Sequence, residues 1–185
     1  MRVFEEPSEA NVFRRSDGRD LAKRNFKQQA ELIRQGWLKR QRDYARLAKD
    51  EQLLIEQPDD WMQRLTYRLI RWLLGRGHQG VLTELIGEVG TRHGSRHDIS
   101  DQPFKQALLV MFWWHERLAN TPLLSRQRRA ELGDAMEYAR RHKVAPRHFC
   151  GFAKQAGLKH IAVKLRVGHW EPGFSPPRPR LSRPA

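Results

Sequence analysis

From Leu21 to Val167 the large apolar residues return every three or four positions, and nowhere do β-branched residues alternate with polar ones over a strand's length. Period 3.6 places such residues on one face of a helix, so the chain is expected to be all-α with little or no sheet. The expected architecture is a multi-helix bundle of about six to seven helices. Residues 1–20 mix charges with Pro7, Ser8, Ser16 and Gly18, lack the period, and read as a flexible arm. Residues 21–168 form the helical domain, whose basic part is 123–168. Residues 169–185, with Pro172, Pro176, Pro177, Pro179 and Pro184 beside Arg178, Arg180 and Arg183, form a Pro/Arg-rich tail unable to pack a core.

The period predicts one long helix from Leu21 to about Gln57, with Phe26, Ala30, Ile33, Trp37, Tyr44 and Leu47 along one face. Pro58 ends it, and Asp59 reads as the N-cap of a second helix carrying Trp61, Leu65, Leu69, Trp72 and Leu73. A short helix with Val81, Leu82, Leu85, Ile86 and Val89 should end at Gly90 to Gly94. Phe104 to Leu118, apolar all round, should be the central helix. Ser125 reads as the cap of a helix to about His142, Pro146 as the first turn of one reaching Ala156, and Leu158 to Val167 as the last.

Charge is the strongest functional signal. The formal net charge is +14, and residues 123–185 carry fourteen Lys/Arg against four Asp/Glu. A localised excess is the footprint of a polyanion partner; solubility charge would be mixed in sign and evenly spread. Nucleic acid is the favoured partner, ahead of an anionic membrane or an acidic protein. No apolar run approaches the length of a bilayer span, and the longest, Ala107 to Trp114, falls far short. With one cysteine, Cys150, and no secretory pattern at Met1, the expected setting is cytoplasmic and reducing.

Within the basic part, Ala153, Gly157 and Val163 fall at the spacing of a small residue, a turn glycine and a buried apolar residue. With Phe152, Ala156 and Leu158 apolar around them, residues 149–168 resemble the helix-turn-helix motif of DNA-binding proteins. The resemblance implies that Ala153 permits close helix approach, that Gly157 takes a positive φ, and that Val163 is buried beneath the pair. It also implies that Lys159, His160, Lys164 and Arg166 face a major groove or phosphates. Arg166 departs from the pattern, standing where a third buried apolar residue is usual. The alternative is an ordinary helix pair with a glycine cap and a solvated basic face.

The remaining candidates for phosphate contact are Arg126, Arg128, Arg129, Arg140, Arg141, Lys143, Arg147 and Lys154, with Arg178 and Arg180 in the tail. The charges of the first helix read as a solvated face. Trp61, Trp72, Trp113 and Trp114 read as core, whereas Trp170 either stacks on a base or anchors the tail. His93, His97, Asp98 and Asp101 could hold a divalent metal but lie in a Gly/Ser-containing loop, and His148 and Cys150 should point to different sides of a helix. The expectation is a non-enzymatic DNA-binding regulatory or accessory factor, without cofactor, catalytic residues or metal. A helical RNA- or single-strand-binding subunit of a ribonucleoprotein complex is the alternative, with protein partners, and a metal-dependent nuclease the third reading.

Overall fold

The computed structural model describes residues 12–93, 102–119 and 123–174. Among them lie eight α-helices, one 3-10 turn and no strand. They are α1 (Arg19–Tyr44), α2 (Lys49–Leu53), α3 (Pro58–Gly75), α4 (Gln79–His93), α5 (Pro103–Ala119), α6 (Arg126–Arg141), α7 (Phe149–Ala156) and α8 (Leu158–Arg166). The 3-10 turn, Pro146–His148, leads into α7.

The first helix is shorter than its periodicity predicts. Its stripe Phe26, Ala30, Ile33 and Trp37 is buried, but α1 ends at Tyr44 because the next residues have no core to cover. Gln52 closes the break: its side-chain amide donates to the carbonyls of Tyr44 and Leu47, 3.1 Å each, occupying acceptors that a helix end leaves open. Glu51 accepts from the Ala48 N–H at 3.0 Å and starts α2, a single turn with no buried residue. Asp59 is not a cap either. Pro58 sits in the first turn of α3, whose N-cap is Gln57, and the Asp59 carboxylate accepts from the Trp37 indole at 2.9 Å. That bond ties α1 to α3. Gly36 lets the two helices approach, since a Cβ there would lie 2.5 Å from the Trp61 ring.

α5 is central, as its composition predicts. It packs against α1, α3, α4 and α6, and Phe104, Ala107, Leu108, Val110, Met111 and Phe112 are all buried. α4 ends at His93, within the expected stop. Ser125 caps α6, its hydroxyl accepting from the Arg128 N–H at 3.1 Å. Packing also extends beyond the expected domain limits. Phe13 is buried, and Val12 is held by Asn25 through its carbonyl at 2.9 Å. At the other end, residues 169–174 fold back over α6 and α7. Residues 1–11 and 175–185, hence most of the expected arm and tail, lie outside the described residues. No described helix is long and apolar enough to cross a membrane.

Candidate nucleic-acid interface

Three helices end in the same way, and one of them differs in its residue. In α3 the N–H of His78 reaches the Leu73 carbonyl and that of Gly77 reaches Leu74; after α8, His169 and Gly168 do the same to Lys164 and Leu165. This paired closure, a Schellman motif, puts its penultimate donor in the left-handed region, where glycine is favoured. Gly77 has φ 84° and Gly168 φ 67°. After α6, the N–H of Val144 reaches Ala139 and that of Lys143 reaches Arg140, but the left-handed position is held by Lys143 with φ 56°. It is the one non-glycine residue with positive φ among the described residues. An L-residue there costs on the order of 1 kcal/mol, a strain that structures retain where the side chain is used.

Lys143 stands among cations. Arg71 comes from α3, and its Nη1 donates to the Val144 carbonyl at 2.6 Å, beside the Tyr67 hydroxyl, which donates to the same oxygen at 3.1 Å. Burial pushes the Tyr67 hydroxyl up to about 12, so it remains a donor at neutral pH. Arg140 and Arg141 close α6, where positive charge suits the helix dipole, and Arg147 follows in the 3-10 turn, its Nε donating to His148 at 3.0 Å. The carboxylate that joins the two α6 arginines is Glu137, buried at 6% exposure. It receives Arg140 through two nitrogens at 2.7 and 2.8 Å, and Arg141 at 3.1 Å. Both arginine side chains stay about half exposed (48% each) while one carboxylate orients them. This corner gathers Arg71, Arg140, Arg141, Lys143 and Arg147.

Burial pushes the Glu137 carboxyl up, but its hydrogen bonds and charge interactions with Arg140 and Arg141 outweigh that, leaving it below the usual carboxylate value. A carboxylate depressed by folding adds stability above its unfolded pKa, and the gain is lost as pH falls through the folded value. Wild type is therefore expected to lose more stability than Glu137→Gln as pH falls below the ordinary carboxylate value of 4.5. Urea denaturation above and below that value checks it, and parallel curves would mean that the pairing stabilises nothing.

The other sequence candidates are dispersed. Arg126, Arg128 and Arg129 occupy the opposite end of α6, a helix about 24 Å long. Arg128 lies 3.7 Å from Glu131, and Arg129 donates to the Leu124 carbonyl at 3.0 Å. Lys154 pairs with Asp60 at 2.5 Å. Lys159, His160 and Arg166 are exposed on α8. Lys164, expected to face a groove, turns inward instead: its Nζ donates to the Ala156 carbonyl at 2.9 Å and to Glu171 at 2.6 Å. Arg178 and Arg180 lie outside the described residues. Arg71 was missed because its partner Val144 stands 73 residues away in sequence, and no local pattern carries that.

The helix-turn-helix expectation fails on two counts. Ala153 is buried and Gly157 has φ 76°, as the resemblance implied. However, α7 and α8 are joined by Gly157 alone, whereas the motif's turn takes about three to four residues. Val163 is 55% exposed, and Ile161, at 0%, fills the inner face instead. The tight turn rotates α8 so that its Ile161 side meets α6, carrying Val163 outward.

Residues 169–174 form a clasp over this junction, which decides between the two readings of Trp170. Its ring lies 4.6 Å from that of the buried His142, and Phe174 approaches Phe152 and His142 edge-on. His142 uses both ring nitrogens, one with the Tyr138 carbonyl at 2.8 Å and one accepting from the Glu171 N–H at 3.0 Å. Glu171 also accepts from the buried Tyr138 hydroxyl at 3.0 Å. Trp170 is thus an anchor of the tail. Glu171→Ala strands the Tyr138 hydroxyl and is expected to cost about 1–3 kcal/mol in urea denaturation, with Glu171→Gln costing less. Equal costs for the two would show that the hydroxyl does not depend on this acceptor.

Of the histidine–aspartate group, His97, Asp98 and Asp101 lie outside the described residues, as does the His93 side chain, and no metal-holding cluster occurs among the described residues. Burial, with like charge from Asp60 and Glu56, pushes the Cys150 thiol up to about 12, and it donates to the Asp60 carbonyl. It is a protonated packing group. Comparison with protein-family models, curated proteins and solved structures found no match to this chain.

Proposed function

We propose that the protein is a non-enzymatic nucleic-acid-binding factor of accessory type that grips the phosphate backbone through the corner of Arg71, Arg140, Arg141, Lys143 and Arg147. The observation that carries this reading is Lys143, a strained lysine between Arg140, Arg141 and Arg147, in a position where the two other helix ends closed in the same way use glycine. Phosphate oxygens accept from guanidinium and ammonium groups without regard to sequence, which suits a corner built from charge rather than from a groove-inserted helix. Duplex DNA is the proposed ligand. An RNA or single strand would use the same phosphate chemistry, and binding of random-sequence duplex DNA, single-stranded DNA and RNA across a salt series separates them. Steep, salt-dependent duplex binding is the expected result. Tighter single-strand or RNA binding would replace duplex DNA as the ligand, and no binding at low salt would end the proposal.

A further inference from the structure

Two apolar patches stay uncovered, and their surroundings carry opposite charge. The first is the knob after α2: Leu53 is 87% exposed, Leu54 85% and Ile55 46%. Residues 50–60 around it hold Asp50, Glu51, Glu56, Asp59 and Asp60 with no Lys or Arg. Glu56 shares its charge with Arg64, Asp60 with Lys154, and Asp59 accepts from the Trp37 indole, so the acids left exposed beside the leucines are Asp50 and Glu51. The second patch is the outer face of α8, where Lys159, Val163, Arg166 and Val167 fall four, seven and eight residues along one stripe. Val163 is 55% and Val167 69% exposed, and Lys159 and Arg166 make no ion pair among the described residues. An apolar pair flanked by cations on one surface and an apolar triad flanked by acids on another fit each other by both burial and charge. Within one chain they do not meet, since both remain exposed.

We propose that the acidic knob of one copy docks on the α8 face of a second copy of this chain. One contact of this kind covers both patches at once, which no occupant of a single patch does. It joins two different surfaces, so each copy in a pair keeps one unused patch for the next, unless rotation closes the set. The contact shares no residue with the phosphate-gripping corner, and its readout is mass in nuclease-treated protein, so it stands or falls apart from the binding proposal.

The test is sedimentation equilibrium of the full chain at low salt, over a range of concentration. Wild type is expected to rise above its 21.8 kDa monomer mass and to fall back as salt is added. Leu53→Glu with Leu54→Glu, and separately Val163→Glu with Val167→Glu, should each give monomer. Mixing the two variants should then restore a complex that stops at two copies, because each partner retains one working surface. Circular dichroism matching wild type shows that the fold is kept, and Val163→Ser with Val167→Ser should give the same loss where glutamate disturbs the helix. A wild type that stays monomeric, or a mixture that fails to recombine, overturns the proposal. So does association abolished on replacing Arg178, Arg180 and Arg183 by serine with α8 intact, which would give the knob to the tail instead.

Discussion

Replacing Arg141 and Arg147 by alanine and Lys143 by glycine in one chain is expected to weaken duplex DNA binding by about a hundredfold while changing stability by no more than about 1 kcal/mol. Three charge-assisted hydrogen bonds to phosphate at about 1 kcal/mol or more each give that factor. The slope of log affinity against log salt should become shallower by about 2.7, at about 0.9 for each phosphate no longer neutralised. Stability changes little for separate reasons. Lys143→Gly relieves on the order of 1 kcal/mol of left-handed strain, offset in part by glycine's extra freedom when unfolded. After Arg141→Ala, Glu137 keeps both bonds from Arg140. The matching control removes three exposed charges from the first helix and its end, Arg24, Arg42 and Arg46. If the control weakens binding as much as the corner variant does, general charge rather than this corner holds the ligand.

Tyr67→Ala should be among the most destabilising single changes in the chain, at about 3–5 kcal/mol by analogy with other large-to-small aromatic core changes. Tyr67 is fully buried in α3, stacks on Phe149 of α7 with ring centroids 4.7 Å apart, and approaches Phe104 of α5 at 5.9 Å. One ring thus joins three helices, and its removal leaves a cavity that none of them can close alone. Tyr67→Phe keeps the ring and loses only the bond to the Val144 carbonyl, which Arg71 still holds, so about 1 kcal/mol is expected. Thermal denaturation of both variants checks the ordering. Near-equal losses would mean that the hydroxyl, and not the packing of the ring, dominates at this site.

Much of the helical framework was legible because it is local. The buried stripe of α1, the Ser125 cap, the all-round apolar α5 and the proline before α7 each express a preference within a few residues. Errors arose where a distant partner competes with a local signal. Asp59 looks like a cap beside its helix, yet the Trp37 indole claims it. Lys164 looks like a surface cation on a basic helix, yet Glu171, Ala156 and the returning tail draw it inward. Of the candidate site, Arg140, Arg141, Lys143 and Arg147 were visible as a run of charge, but nothing in that run distinguished them from Arg126, Arg128 and Arg129.

By itself, then, the sequence determined the helical class, most of the segments that become helices and the excess of positive charge toward the C-terminal end, since period, capping and composition act through neighbours along the chain. Only the tertiary structure decided which cations share a surface. It brought Arg71 of α3 to the end of α6, placed Lys143 in a glycine's conformation beside it, and turned Val163 outward and Ile161 inward on α8. The physical reason is that a helix specifies the order of residues around its own axis but not its rotation against its neighbours, and packing around Tyr67, Tyr138 and Phe149 sets that rotation.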